Sequence, residues 1–216
     1  ENSPKIKIEA VKEYGANIIF CEPTLEARES TLKGVVKETN AVFVHPYNDF
    51  DIIAGQGTAA FELLNDFPDL DCVVAPVGGG GLLSGTSIAA KSMRTGIQVF
   101  GAEPYGADDA YRSLKAKKII PSVHPKTIAD GLLTSLGNLT FKAISQYTDE
   151  ILRVNDKTIL FAMKLLFERV KLVVEPSGSV PLAAVLEHPE KFKTRKTGII
   201  LSGGNVDLHT LTSIYS

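Results

Sequence analysis

The stretch VVAPVGGGGLLSG, Val73 to Gly85, decides the fold. Its opening residues are apolar on both faces, as a strand in the middle of a parallel sheet must be. Gly78, Gly79, Gly80 and Gly81 follow, and Leu82 then opens an apolar helix. A glycine run costs backbone entropy and packs nothing, so it marks a place where main chain must come close to something. A strand end, a glycine turn and a helix start together offer free amides and the positive end of a helix dipole. In parallel sheets, ligands bind at that end of the strands. The chemistry is that of an anion site, and glycine lets amides approach phosphate oxygens. Two common phosphate loops do not fit. The GxxxxGK[ST] pattern needs a lysine that is absent here. The GxGxxG pattern, begun at Gly78 or Gly79, meets Leu83 or Ser84 in its sixth place.

Outward from this loop, helical and strand patterns alternate. Helices are expected over 4–14, 25–39, 50–64, 82–94, 108–117, 139–147, 156–170 and 180–186. Ser3 and Pro4 read as the cap and first position of the first helix, and Gly15 as its stop. Strands are expected at Asn17–Phe20, Ala41–Val44, Cys72–Val77, Ile97–Ala102, Ile151–Val154 and Gly198–Leu201. The alternation predicts an α/β fold, a parallel twisted sheet with helices on both faces. The HPYND turn, His45–Asp49, marks a boundary. Residues 1–46 read as the remainder of a small domain, and 47–216 as a large, cofactor-binding domain.

Composition narrows the classes. Of 216 residues, 44% are hydrophobic and 22% charged, which is ordinary globular usage. The net charge of −2 offers no basic field for nucleic acid. Apolar runs are too short to span a bilayer as a helix, and ENSPKIKIEA has no apolar signal-like core. The first residues read like the middle of a fold. Cys21 and Cys72 are far apart and read as reduced packing cysteines of a cytoplasmic protein. His45, His124, His188 and His209 are scattered, with no HExxH spacing, and no GxSxG elbow is present.

Five segments then carry a resemblance: VGGGGLLSG, AGQGTAAFEL at Ala54–Leu63, GAEP at Gly101–Pro104, TIADG at Thr127–Gly131, and LSGGNVD at Leu201–Asp207. In this order they resemble the serine racemase and catabolic threonine dehydratase family of pyridoxal-phosphate enzymes. Their fold is type II, like the β subunit of tryptophan synthase. The resemblance covers nearly the whole chain. It implies an enzyme that converts L-serine to D-serine and eliminates serine or threonine to pyruvate or 2-oxobutyrate and ammonia. Its implied cofactor is pyridoxal 5′-phosphate and its implied substrate a small amino acid. A homodimer is also implied. A catabolic dehydratase is the nearest alternative. A non-catalytic module binding pyridoxal phosphate or a nucleotide is a rival of another class.

The resemblance also assigns residues. Gly78–Gly81 and Leu82 correspond to the phosphate loop, Gly131 to the residue packed on the cofactor ring, and Ser202 to the hydroxyl at the ring nitrogen. A neutral hydroxyl supports a proton on that nitrogen far less than a carboxylate does, which suits elimination and racemisation. Glu103, Ala107 and Asp109 resemble the family's structural site for Mg2+, Ca2+ or Mn2+, with water completing the oxygen set. Lys171 and Asn205 match positions that meet an ATP effector. Tyr47 stands where vertebrate racemases carry asparagine, and Glu175 before Pro176 reads as a helix entry. The family's Schiff-base lysine and opposite-face serine have no counterpart here. The chain resembles the C-terminal two-thirds of such an enzyme, completed by a missing N-terminal segment. By itself it is expected to bind phosphate and not to perform lysine-dependent chemistry.

Overall fold

The computed structural model describes residues 5–207 and residue 212, the Leu25 side chain excepted. The expected cap at Ser3 and Pro4, and His209, lie outside the described residues. The chain opens with α1 (Lys5–Glu13), α2 (Leu25–Thr39) and α3 (Phe50–Asp66). Thr24 caps α2, its hydroxyl accepting from the Ala27 amide at 3.1 Å. Asp49 caps α3, accepting from Asp51 at 2.9 Å and Ile52 at 3.2 Å. Side-chain oxygens of this kind satisfy the orphan amides of a first helical turn.

The sheet begins with β1 (Cys72–Pro76), followed by α4 (Gly81–Met93) and β2 (Gln98–Pro104). Next come α5 (Asp109–Ala116), α6 (Asn138–Tyr147) and β3 (Glu150–Val154). Then α7 (Asp156–Leu165) runs into one π turn, Leu166–Val170, before α8 (Pro176–Glu187), α9 (Pro189–Phe192) and β4 (Thr197–Ile199). The four strands are all parallel, in the order β3-β2-β1-β4. Val73 pairs with Val99 on one side and Gly198 on the other. Alternate residues of β1 then feed two cores. Cys72 and Val74 face α7 and α8 through Ile159, Ala162, Val180 and Ala184. Val73, Ala75 and Val77 face α4, α5 and α6 through Leu83, Ala110 and Ile144. Helices on both faces explain why β1 carries no polar side.

Two expectations fail. Asn17–Phe20 and Ala41–Val44 form no strand, and Ile19, Phe20, Val42, Phe43 and Val44 are exposed. Their apolar, β-branched character is suitable for a strand, but no neighbouring strand among the described residues pairs with them. The helix expected over 180–186 starts instead at Pro176, where Glu175 and Pro176 read as a helix entry. Proline fits a first helical turn because its missing N–H has no partner to lose there. Among the described residues, none before Ile53 is buried.

Helices α3 and α4 cross in backbone contact. A Cβ on Gly85 would collide with the Gly57 amide and the Ile53 carbonyl, and one on Gly57 would lie 3.0 Å from the Gly85 oxygen. Gly85→Val should therefore destabilise the protein by about 3 kcal/mol, the upper end of ordinary overpacking. Urea unfolding measures this; an unchanged midpoint would mean that the helices do not meet at these glycines.

Candidate functional site at the glycine loop

From β1 the chain leaves toward β2, on the side away from β4. That opens a crevice between the carboxyl ends of β1 and β4, the usual place for a ligand in an open parallel sheet. A cavity of about 360 Å3 lies there. Its walls include Gly78–Gly81 and Leu82 after β1, Gly131 from the long β2–β3 connection, and Ser202 just past β4. All seven residues read from the sequence as cofactor contacts thus meet in one space. Sequence reasoning did not identify Gln56, Leu132 or Thr134 as lining residues. Gln56 lies inside the quoted AGQGTAAFEL segment, so a helical register placed against the loop could have found it. Nothing in the local pattern pointed to Leu132 and Thr134.

The loop's geometry depends on its glycines in two ways. Gly80 caps α4 with φ of 90°, where a side chain is strained. A Cβ there would also press on Leu136, Thr140 and Ile144 at 2.8–2.9 Å. At Gly79, a Cβ would collide with the Tyr47 ring. The sequence reading attributed the glycine run to a bound anion; protein neighbours supply a second reason. The loop is pinned from behind by Thr140, whose hydroxyl donates to the Gly79 carbonyl at 2.8 Å. In front, the first-turn amides of α4 have no carbonyl four residues back inside the helix, so they are free for an acceptor.

Tyr47 is itself held by a tight turn. His45 Nδ1 accepts the amides of Asn48 at 2.9 Å and Tyr47 at 3.3 Å. The two rings meet edge to face at 4.6 Å. Partial burial pushes the Tyr47 phenol above its ordinary range, with Arg28 opposing and Asp109 adding to the rise. Asn48 completes the turn by accepting from the Leu139 amide at 2.9 Å.

An acidic pocket lies at the end of β2. Glu103 and Asp109 are each only 1% exposed, and Ala107 is also buried beside them. Glu103 accepts from the Tyr111 amide at 2.6 Å and the Ala110 amide at 3.2 Å. Asp109 Oδ2 is buried without a hydrogen-bond partner. Asp108 is different: Arg112 at 2.7 Å and Arg153 at 3.0 Å both pair with it. Burial pushes the Glu103 carboxyl up to about 9, against the pull of the Tyr111 amide and with the Asp109 charge adding to the rise. Burial likewise raises Asp109 to about 6. No cluster of three or more His, Cys, Asp or Glu suited to a metal occurs among the described residues. The sequence reading took Glu103, Asp109 and the Ala107 carbonyl as a divalent-cation set; all three residues are buried near the end of β2.

Lys171 and Asn205 are both exposed. The segments that carry them run side by side, with the Glu175 amide donating to the Gly203 carbonyl at 3.0 Å. Lys171 donates to the Glu168 carbonyl at 2.7 Å and has a left-handed φ of 64°.

A parallel α/β sheet with a glycine loop and a helix start lining a cavity at its switch point has the layout of proteins that bind a phosphate-bearing ligand. The family profile described as "Pyridoxal-phosphate dependent enzyme" matches residues 1–203, and the chain belongs to that family. It is 48% identical to a serine racemase of Dictyostelium discoideum over 99% of this chain and 67% of that protein. It is 47% identical to a β-hydroxyaspartate dehydratase of Paracoccus denitrificans, over 97% of this chain and 66% of that protein. The solved structure of maize serine racemase superposes with a TM-score of 0.94 at 44% identity, over 99% of this chain and 67% of that one. The chain spans about two thirds of the length of each of these relatives.

The raised carboxyls set a pH dependence. A carboxyl whose folded value exceeds its ordinary one stabilises the fold while protonated and loses that contribution as pH rises through the folded value. For Glu103 the loss runs from 4.5 to about 9. In ion-free protein the thermal midpoint should fall across that window, and Glu103→Gln should remove most of the slope. A slope left intact in Glu103→Gln would locate the effect elsewhere.

Proposed function

We propose that the polypeptide carrying this chain is a pyridoxal-phosphate-dependent serine racemase with serine and threonine dehydratase activity. One observation carries the reading: residues from three distant segments, chosen by sequence alone, line a single cavity. The similarity to serine racemases supports it. The near-equal similarity to a β-hydroxyaspartate dehydratase supports a dehydratase as the second reading. The reaction removes the α-proton of L-serine and returns a proton to the opposite face, giving D-serine. Loss of the β-hydroxyl instead leads to pyruvate and ammonia.

The residues present fit the cofactor. The free amides of Gly79–Leu82 suit a dianionic phosphate, and their backbone placement leaves no lysine or arginine needed there. Bound pyridoxal phosphate supplies an electron sink for the pair left at the α-carbon. Gly131 leaves a flat wall for a ring, and Ser202 offers a neutral hydroxyl at its far end. Tyr47, over the loop, keeps water from one side of the cradle. None of the chain's residues is assigned the proton transfer itself. We place the lobe boundary after Pro46, with the cavity in the second lobe.

Glu103, Asp109 and the Ala107 carbonyl fit a hard divalent cation, magnesium above all, because a buried pair of uncompensated carboxylates and an orphan oxygen are what such an ion neutralises. Its role is to brace the Tyr105–Asp109 turn. The Lys171 and Asn205 segments fit a nucleotide effector. The exposed apolar face of α3 and α4, with Phe50, Phe61 and Ile88, supports a homodimer. No described helix is long and apolar enough to cross a membrane, and we place the protein in the cytoplasm.

Titration with pyridoxal phosphate, followed by fluorescence and absorbance, tests the cradle. Gly79→Asp should lower affinity about tenfold or more by setting a negative charge against a dianion. The same substitution in a Tyr47→Ala background relieves the steric clash, and the loss should persist. Full recovery there would remove the phosphate assignment. Chelation should lower the thermal midpoint by mass action, equivalent to about 2.7 kcal/mol at a hundredfold excess of ion over its Kd. A midpoint indifferent to chelator would remove Glu103 and Asp109 as ligands. Chiral analysis of the product from L-serine decides racemase against dehydratase.

A further inference from the structure

Helix α1 contributes no residue to either core. Its Lys7 nonetheless reaches two carboxylates that adjoin the cavity's walls. The Lys7 ammonium donates to Asp130 Oδ2 at 2.7 Å and pairs with Glu175 Oε2 at 3.3 Å. Both carboxylates stand beside cavity walls. Asp130 immediately precedes Gly131, whose amide donates to Ser177 Oγ at 2.9 Å. Glu175 lies two residues before Ser177. Its amide holds the Gly203 carbonyl at 3.0 Å, and its Oε1 lies 2.6 Å from where a Gly203 Cβ would sit. Gly203 adjoins Ser202. The three-way contact therefore ties together the first helix, the Gly131 turn and the Ser202 turn.

We propose that Lys7 is a positioning residue: by bridging Asp130 and Glu175 it holds Gly131 and Ser202 in place and fixes α1 against the cavity. The functional sense of this rests on the cavity being the cofactor site. Two carboxylates converging on one point repel each other unless a cation lies between them. Glu175 Oε2 is buried and makes no hydrogen bond, so Lys7 is its compensating charge. Partial burial opposes the Lys7 charge, but the Asp130 hydrogen bond and the Glu175 charge outweigh it and raise its pKa above 10.5. Lys7 therefore carries its charge at neutral pH. Without the bridge, Asp130 and Glu175 move apart and each carries its neighbouring wall residue with it. The same event releases α1, so the ring end of the cavity and the first helix are coupled.

The test uses the holoenzyme with Lys7→Met, Lys7→Arg and Asp130→Asn. Hydrogen exchange with mass spectrometry is read over 5–13, 129–132 and 200–207, beside kcat and KM for L-serine. Lys7→Met should speed exchange about tenfold in all three segments, the effect of losing a charge-assisted bond. It should lower kcat more than it raises KM, and Lys7→Arg should restore both readouts in large part. Asp130→Asn should reproduce the changes in 129–132 and α1, and adding Lys7→Met to it should do little more. Faster exchange confined to α1, with kcat unchanged, overturns the proposal, as does a Lys7→Arg enzyme no better than Lys7→Met. If the parent holoenzyme turns over no serine while exchange changes as expected, the functional reading fails and the bridge stands.

Discussion

The parallel pairing of β1 with β4 is the interaction on which the site depends, because it brings two turns from distant parts of the chain to one crevice. Val74 sits between Phe100 and Ile199, and the Ile200 amide extends the ladder by donating to the Val74 carbonyl at 3.0 Å. Beyond that last bond β4 ends, while β1 runs on beside β2 to Pro76. One chain turns into the glycines and the other reaches Ser202. Because both turns leave a sheet packed on two faces, their spacing is set by the core. Ladder bonds and buried apolar contacts fix it; loop chemistry has little say. A cradle made of main-chain amides can then be stiff without any charged side chain.

Stiffness here has a cost in sequence freedom. Gly80 must take a left-handed φ, and Gly79 must leave room for Tyr47. The loop is gripped from both sides, by Thr140 behind and Tyr47 in front. The acidic pocket shares this framework: the Leu136 backbone amide steadies Asp109, while the Leu136 side chain packs where Gly80 has none. An ion that settled Glu103 and Asp109 would thus brace residues that touch the glycine loop.

The outline of the sheet was legible in residue order. Runs such as CVVAP are apolar without interruption, and only a strand covered on both faces uses them. The seven residues read as cofactor contacts line one cavity; the glycine run is a local signal, whereas Gly131 and Ser202 were reached through the family resemblance. What failed was pairing. Asn17–Phe20 and Ala41–Val44 carry strand character but have no ladder partner among the described residues, and character alone makes no sheet. The periodic pattern of α8 begins only at Val180, but Glu175 before Pro176 marks the helix entry, and Ser177, Gly178 and Ser179 continue the helix. They are buried, and packing overrides their low helix propensity.

The sequence by itself determined the alternation of strands and helices, the glycine loop after the central strand, and membership in a pyridoxal-phosphate family, since each of these is written in neighbouring residues. Tertiary structure alone decided that Tyr47 lies on Gly79, that Asp109 keeps an orphan oxygen, and that Lys7 stands between Asp130 and Glu175. The physical reason is distance along the chain. Local patterns report what a segment can become, whereas contacts between remote side chains arise only after the sheet has set their positions.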